Sequence, residues 1–79
     1  MNVRVKLLGT LPSCYQGIYT TAGLDMDIPA GSTVADLVER TCLPPERVAI
    51  VTINGLLAKA EDRIPENAVV KFMQPVTGG

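Results

Sequence analysis

Hydrophobic and polar residues alternate at the start of the chain. Val3, Val5 and Leu7 are separated by Arg4 and Lys6, and a period of two residues places one set on each face of a sheet. We therefore predict a half-buried β-strand here, with the three aliphatic residues facing the core.

The next apolar alternation comes only after a long connection. Residues 10–23 contain Pro, Ser, Gly and paired Thr residues, which predicts a loop with extended segments around residues 15–19. A second strand is predicted at residues 24–28, where Leu, Met and Ile alternate with aspartates before a Pro-Ala-Gly sequence. We expect the two strands to pair as a hairpin with an overlong connection.

One main helix is predicted after residue 32. Thr33 and Asp36 fit a capping box, in which a hydroxyl and a carboxylate each bind an otherwise unpaired backbone N–H group. Pro44 and Pro45 end the helix because proline cannot continue it. The apolar positions recur at i, i+3 and i+4 and therefore face a core: Val34, Leu37, Val38 and either Thr41 or Cys42.

The next segment predicts a second hairpin. Residues 48–53 are rich in β-branched side chains, which is typical of a central strand covered on one face. Asn54 and Gly55 follow, and this dipeptide predicts a type I′ turn because both central positions of that turn need a positive φ. Leu56–Ala58 should then return as a short strand.

The last third of the chain completes the sheet. Residues 59–67 are charged and contain a proline, which predicts a turn of helix and a loop. Residues 68–76 form the last predicted strand. Its phase places Val70 and Phe72 on the core face and Met73 on the other face. This order of elements predicts an α+β fold, a mixed sheet with one main helix packed across it.

Composition and charge exclude several functions. Seven Lys and Arg residues oppose eight Asp and Glu residues in the 79-residue chain, for a net charge of −1. The basic residues are scattered, which argues against nucleic-acid binding. No apolar run approaches the ~20 residues of a membrane span, so we expect no membrane partner and a cytoplasmic location. We expect one domain over residues 1–79, with a flexible tail over about residues 75–79.

The chain has two cysteines, Cys14 and Cys42, and no histidine. These residues fall short of a tetrahedral metal site from one chain, and an iron–sulfur cluster needs four thiolates. We therefore expect neither a metal nor a bound cofactor. Cys42 is interpreted as a small buried hydrophobe at the helix end. Cys14 lies in the predicted loop, where it could be a reactive thiol, but we expect no role for it.

The sequence ends on Gly78 and Gly79, directly after an apolar run. Two terminal glycines arise by chance in about one chain in two hundred, at a glycine usage of roughly 7%. Because glycine has no Cβ, an extended pair can pass through a narrow channel in another protein and leave the final carbonyl open to attack. The carboxylate of Gly79 is therefore the predicted reactive group.

The element order, Asn54-Gly55 and the final run from Phe72 to Gly79 resemble the ubiquitin-like β-grasp sulfur carriers (MoaD/ThiS). The resemblance is closest to the small subunit of molybdopterin synthase, whose ending commonly reads Pro-Pro-Val-Thr-Gly-Gly. It implies a β-grasp fold with a sheet of four to five strands. The Pro-Glu-Asn sequence at residues 65–67 stands where the family usually has an Asp-Gly-Asp-type turn. The first connection also lacks the helical pattern of the molybdopterin branch.

The resemblance implies a protein co-substrate rather than an enzyme. An adenylating enzyme of the MoeB/ThiF type would use ATP and Mg²⁺ to convert the carboxylate of Gly79 into an acyl-adenylate. A sulfur donor protein would then replace AMP and leave a thiocarboxylate. The sulfur would pass to a precursor in a second enzyme, the large synthase subunit or a thiazole synthase. Gly78, Thr77 and Val76 would form the rest of the arm that threads these enzymes.

Strand phase also predicts a partner-binding surface. Residues on the face of the sheet opposite the helix, next to the tail, would be exposed apolar groups able to supply contacts to an enzyme. The predicted partner-binding residues are Leu8, Leu57, Met73 and Pro75. The resemblance implies the same use of this open face. Lys6 and Lys71 are interpreted as solvated charges at its rim.

Three interpretations of the whole chain stay open. The first is a sulfur carrier for molybdopterin biosynthesis, with the thiamine pathway or another sulfur-requiring synthesis as the alternative. The second is a ubiquitin-like modifier whose activated glycine forms isopeptide bonds with lysines. The third is a β-grasp interaction module whose diglycine is incidental.

Overall fold

The computed structural model describes residues 1–74 of the chain. Within these residues, five strands form one sheet: β1 (Asn2–Leu7), β2 (Leu24–Asp27), β3 (Ile50–Ile53), β4 (Leu56–Ala58) and β5 (Val69–Met73). The helices are α1 (Leu11–Cys14), α2 (Val34–Thr41) and a 3₁₀ helix at Pro45–Arg47. The strand order is β2-β1-β5-β3-β4, with β1 and β5 parallel and every other pairing antiparallel.

The core lies between the sheet and α2. Val5 opposes Val70 and Leu7 opposes Phe72 across the parallel pair, and all four side chains are buried. Leu37 of α2 is fully buried in the same cluster. The mixed sheet of four to five strands with one main helix is confirmed, as is the core phase of the last strand.

The capping box at the start of α2 is confirmed. The Thr33 hydroxyl accepts from the Asp36 backbone N–H at 3.3 Å, and the Asp36 carboxylate accepts from the Thr33 N–H at 3.0 Å. The N–H groups of Val34 and Ala35 donate to the carbonyl oxygens of Asp62 and Ala60. The start of α2 is therefore fixed both by its own side chains and by the loop that precedes β5.

The interpretation of Cys42 as a buried hydrophobe is wrong. Cys42 caps the C-terminus of α2 in the left-handed region, with φ 58°, and it is exposed. The reversal of the chain at this cap carries the side chain away from the apolar stripe. Thr41 takes the buried position instead, and its hydroxyl donates to the carbonyl oxygen of Val38 at 2.6 Å.

The prediction of a loop without a helix between β1 and β2 is wrong at its start. Leu11–Cys14 forms one helical turn, with Pro12 in its first turn, where the missing N–H costs nothing. Leu11 is fully buried in the main core. A four-residue helix is too short to show a helical period, which explains why the pattern did not reveal it.

No strand forms in the rest of this connection, so the predicted extended segments around residues 15–19 do not join the sheet. The Tyr19 hydroxyl oxygen instead accepts a hydrogen bond from the Leu7 backbone N–H at 2.8 Å. A side chain thus satisfies a donor at the end of β1, and it holds the loop against the strand.

The second hairpin is confirmed, with β4 at its predicted residues and β3 shorter than predicted. Asn54 and Gly55 have φ values of 51° and 85°, as a type I′ turn requires. Strand β3 begins at Ile50 rather than Val48, because the Val48 N–H closes the 3₁₀ helix by donating to the Pro45 carbonyl.

Strand β5 begins one residue later than predicted, and the predicted strand residues 75 and 76 lie outside the described residues.

The turn of helix predicted within residues 59–67 is wrong. The Asp62 carboxylate accepts from the Lys59 backbone N–H at 2.9 Å and makes a tight turn instead, a competition typical of aspartate. Asn67 has φ 59°. Asparagine tolerates the left-handed region better than most residues. Asn67 can therefore form the turn for which the β-grasp sulfur carriers usually use an Asp-Gly-Asp-type sequence.

Replacing Leu11 by Ala tests whether α1 belongs to the core. We expect the free energy of unfolding to fall by about 2–5 kcal/mol, because a fully buried leucine is truncated. Urea denaturation measures this change. Leu56→Ala is the matched control: Leu56 is 74% exposed, and the same truncation there should cost within about 0.5 kcal/mol. Equal costs at the two positions would contradict the packing of α1.

Candidate functional site

The sheet has a second face that α2 does not cover, here called the outer face. Successive side chains of a strand point to opposite faces of the sheet, so the residues that alternate with the core residues lie on the outer face. Its central residues are Lys6, Leu8, Ile50, Leu57, Lys71 and Met73. They come from four different segments of the chain, so the outer face exists only in the folded protein.

An apolar row lies at one end of the outer face, formed by Leu8, Met73 and Ile50. The Leu8 N–H donates to the Phe72 carbonyl at 3.0 Å, which places Leu8 beside Met73. Ile50 is the register partner of Met73 on the other side. Leu8 and Ile50 are each 38% exposed and Met73 is half-buried. The apolar row therefore borders the position where β5 ends and Gln74 follows.

Leu57 extends this surface toward the edge of the sheet. It opposes Thr52 across the hairpin and is 77% exposed. Because Thr52 is two residues from Ile50 on the same face, Leu57 lies diagonal to Ile50, a distance over which long side chains still interact. Leu56, its neighbour, opposes Ile53 and belongs to the core side of the sheet.

The predicted site residues therefore fall into two groups. Leu8 and Met73 are adjacent, and Leu57 shares their face. The predicted tail residues Pro75, Val76, Thr77, Gly78 and Gly79 lie outside the described residues. Ile50 was missed, although the Asn-Gly hairpin could have revealed it: a two-residue turn sets Thr52 opposite Leu57, so Ile50 must share the face of Leu57.

Two lysines occupy the middle of the outer face. Lys6 and Lys71 are register partners in the parallel pair and both are half-buried, so the interpretation of them as rim charges is wrong. The nearby Arg4 is neutralised by Asp25, with Nε and Oδ1 3.1 Å apart. Within residues 1–74, neither lysine forms an ion pair. The outer face thus presents two adjacent positive charges beside an apolar row.

An open groove lies on the other side of the sheet. It has a volume of about 780 Å³ beside α2, with mostly apolar lining that includes Val38, Leu43 and the exposed Cys42. No group of three or more His, Cys, Asp or Glu residues in positions 1–74 is placed to hold a metal ion. The same part of the chain contains no helix of the length and hydrophobicity needed to traverse a bilayer. The outer face remains the candidate site because it adjoins the end of β5.

The chain is similar to known proteins over most of its length. The ThiS family model matches residues 15–79, which include every residue beyond β5. The chain belongs to the ThiS family. No curated protein matches it significantly.

Solved structures agree with the ThiS assignment at the level of the fold. SAMP1 from Haloferax volcanii superposes with a TM-score of 0.75 at 19% identity, over 100% of both chains. The protein described as molybdopterin converting factor subunit 1 from Pyrococcus furiosus gives 0.73 at 20% identity, over 95% of this chain and 98% of that one. A second structure of the Haloferax volcanii small archaeal modifier protein 1 gives 0.70 at 18% identity, with the same coverage.

These similarities confirm the ubiquitin-like β-grasp fold and the MoaD/ThiS superfamily. Proteins of the ThiS and MoaD type are small protein co-substrates and are generally non-catalytic, and they act as sulfur carriers or as small modifiers. The family also implies an activating enzyme and a synthase as interaction partners. A surface of apolar residues and lysines suits such a role, because it can bind a partner without chemistry of its own.

Changing Lys71 to Glu tests the lysine pair. We expect the free energy of unfolding to rise by about 0.2–1 kcal/mol, because like charges on neighbouring strands are replaced by opposite ones. Urea denaturation at low salt measures the gain, which should largely vanish near about 1 M salt, where surface charges are screened.

Charge reversal at the other lysine is the control for this prediction. Lys6→Glu should give a similar gain, and the double variant should return toward the wild-type value, since two carboxylates then face each other. Gains that simply add in the double variant would exclude repulsion between Lys6 and Lys71 as the cause.

Proposed function

We propose that this protein is a sulfur carrier whose Gly79 carboxylate is activated by a partner enzyme and converted to a thiocarboxylate for molybdenum cofactor biosynthesis. The observation that supports it most is the ThiS family match, which extends over the diglycine of residues 78 and 79. The second support is the position of the outer face, since its apolar row borders the strand end that leads to these residues.

The proposed chemistry takes place in two steps on the partner enzymes. A carboxylate is a poor electrophile, so its oxygen first attacks the α-phosphorus of ATP, and pyrophosphate leaves. The MoeB/ThiF-type enzyme supplies the nucleotide site and the Mg²⁺ that neutralises the developing charge. The terminal sulfur of a persulfide on the donor protein then attacks the carbonyl carbon of the acyl-adenylate, and AMP leaves. A thiol cleaves the S–S bond of the resulting acyl disulfide, which releases the thiocarboxylate and leaves the donor in a disulfide with that thiol. This protein acts as the co-substrate in both steps.

Docking is assigned to the outer face. The apolar row of Leu8, Met73 and Ile50 offers partly exposed side chains that a partner can bury, and interface energy concentrates in such central apolar contacts. Lys6 and Lys71 beside it would complement an acidic partner surface, and they would accelerate the encounter. The same surface would serve the activating enzyme first and the large synthase subunit afterwards.

The alternative functions differ in the product that the activated protein forms. The similar fold of a protein described as molybdopterin converting factor subunit 1 favours the molybdopterin pathway over thiamine synthesis, where a thiazole synthase would receive the sulfur. The two modifier structures favour protein conjugation as the second candidate. Both functions need an activated Gly79, and they differ in the nucleophile that accepts it.

The fate of Gly79 tests the proposed chemistry. With ATP, Mg²⁺, a MoeB/ThiF-type enzyme from the same organism, a persulfide donor and a thiol reductant, we expect intact-mass spectrometry to show replacement of one terminal oxygen by sulfur. Deleting Gly79 should abolish ATP–pyrophosphate exchange, because the remaining carboxylate ends short of the nucleotide. Glu66→Ala, a change at an exposed residue before β5, should leave the exchange unchanged.

Other products would contradict the carrier function. Lysines of other proteins that carry residues 72–79 as a tryptic remnant, since Lys71 is the last tryptic site, would assign the protein as a modifier if no thiocarboxylate is found. Exchange that survives deletion of Gly79 would make the diglycine incidental and reject both functions.

Leu57 and Leu56 test which face of the sheet docks. They are adjacent in sequence and similarly exposed, at 77% and 74%, but only Leu57 lies on the outer face. We expect Leu57→Asp to raise the KM of the activating enzyme for this protein by about tenfold or more, since hot-spot changes cost roughly 2 kcal/mol. Leu56→Asp should leave KM unchanged. A larger effect at Leu56 would place docking on the helix side.

A further inference from the structure

Gln74, the last described residue, is tied to the turn that follows β1. Its side-chain oxygen Oε1 accepts the Thr10 backbone N–H at 2.9 Å. The Thr10 hydroxyl donates to the same oxygen. These residues are 64 positions apart in the sequence. The Gln74–Thr10 contact therefore joins the residue before the tail to the opposite end of the chain.

The turn is shaped to receive the glutamine. Gly9 has φ 64°, a conformation that favours glycine. A Cβ added to Gly9 would lie 2.9 Å from the Gln74 Cδ and 3.1 Å from its Oε1. The side chain of Gln74 thus packs against bare backbone, in a space that any larger residue at position 9 would fill.

The backbone of Gln74 is restricted as well. The carbonyl oxygen of the preceding Met73 accepts the Ala49 N–H at 2.9 Å, so the chain is held to β3 up to this point. The residue that follows is Pro75, and a proline disfavours the helical region for the residue before it. Side chain and backbone together leave Gln74 few orientations.

We infer that the Gln74–Thr10 contact is a positioning device that sets the direction in which residues 75–79 leave the body, and so helps to deliver the Gly79 carboxylate to the activating enzyme. This inference rests on the proposed function. Its physical basis is orientational entropy: a tail whose base is already fixed loses less freedom when its end must reach a reaction centre. Gln74 would act through the tail without touching the reacting atoms.

The contact predicts a split between kcat and KM. Gln74→Leu removes the acceptor while keeping a similar size, and it leaves the outer face intact. We expect kcat of adenylation to fall about three- to tenfold, the range that the loss of one or two hydrogen bonds allows, with KM within about twofold. Leu57→Asp should give the opposite split. ATP–pyrophosphate exchange at varied concentrations of the protein measures both constants.

Conservative variants separate positioning from a direct contact with the enzyme. The backbone N–H and the hydroxyl of Thr10 both donate to Gln74, so a carboxylate oxygen can replace the amide oxygen. Gln74→Glu should therefore keep the wild-type kcat that Gln74→Leu loses. Thr10→Val, which loses the hydroxyl but keeps the N–H, should lower kcat by less than Gln74→Leu, and Thr10→Ser should restore it. In the double variant Gln74→Leu/Thr10→Val the effects should not add, since both remove the same contact.

Several outcomes would overturn the inference. One is an unchanged kcat in Gln74→Leu. Another is additive effects of Gln74→Leu and Thr10→Val, which would mean that Gln74 touches the enzyme independently. A third concerns stability: if Leu11→Ala and Gln74→Leu show the same loss of kcat per degree of lowered melting temperature, the role of Gln74 would be merely structural.

Hydrogen exchange separates the failure of this inference from the failure of the proposed function. The Thr10 amide should be protected in the wild type and in Gln74→Glu, and should exchange about three- to tenfold faster in Gln74→Leu, because its acceptor is gone. If the wild-type protein is never adenylated while this pattern holds, the proposed function fails and the contact stands. If adenylation proceeds and the Thr10 amide is unprotected in the wild type, the inference alone fails.

Discussion

The parallel pairing of β1 and β5 is the constraint on which the rest of the structure depends. Parallel strands need a long crossover, and here nearly the whole chain lies between the two, including α2 and the second hairpin. Because both strands run in the same direction, their ends lie at the same edge of the sheet. The turn after β1 therefore meets Gln74 after β5, and Leu8 meets Met73. An antiparallel pair would have placed these residues at opposite ends.

The same pairing divides stability from recognition. On the core side it aligns Val5 with Val70 and Leu7 with Phe72, all buried. On the outer face it aligns Lys6 with Lys71, an arrangement that we expect to cost stability because like charges are neighbours. A sheet optimised only for folding would not keep two lysines together beside an apolar row. The unfavourable pair is consistent with a surface shaped for a partner.

Local sequence signals predicted most of the fold, and the errors lie where such signals are short, ambiguous or absent. The capping box of Thr33 and the turn at Asn54 each depend on residues close in sequence, and both are confirmed. The buried turn of α1 and the left-handed cap at Cys42 are single-turn features with no period to read. Ile50 was missed because both faces of its strand carry apolar residues, and the contact of Gln74 spans 64 positions. Sequence patterns predicted elements well, and long-range juxtapositions poorly.

The length of the proposed tail explains why docking and delivery must lie close together. Five residues follow Gln74, and five extended residues span at most about 16–18 Å. In the proposed function, the reaction centre of any partner must therefore lie within this distance of Gln74. A docking surface far from the base of the tail would leave the carboxylate short of its target. The apolar row begins one residue before Gln74, at Met73. In the proposed function, a partner seated there would therefore have the Gly79 carboxylate within reach, and the Gln74–Thr10 contact would reduce the freedom lost on delivery.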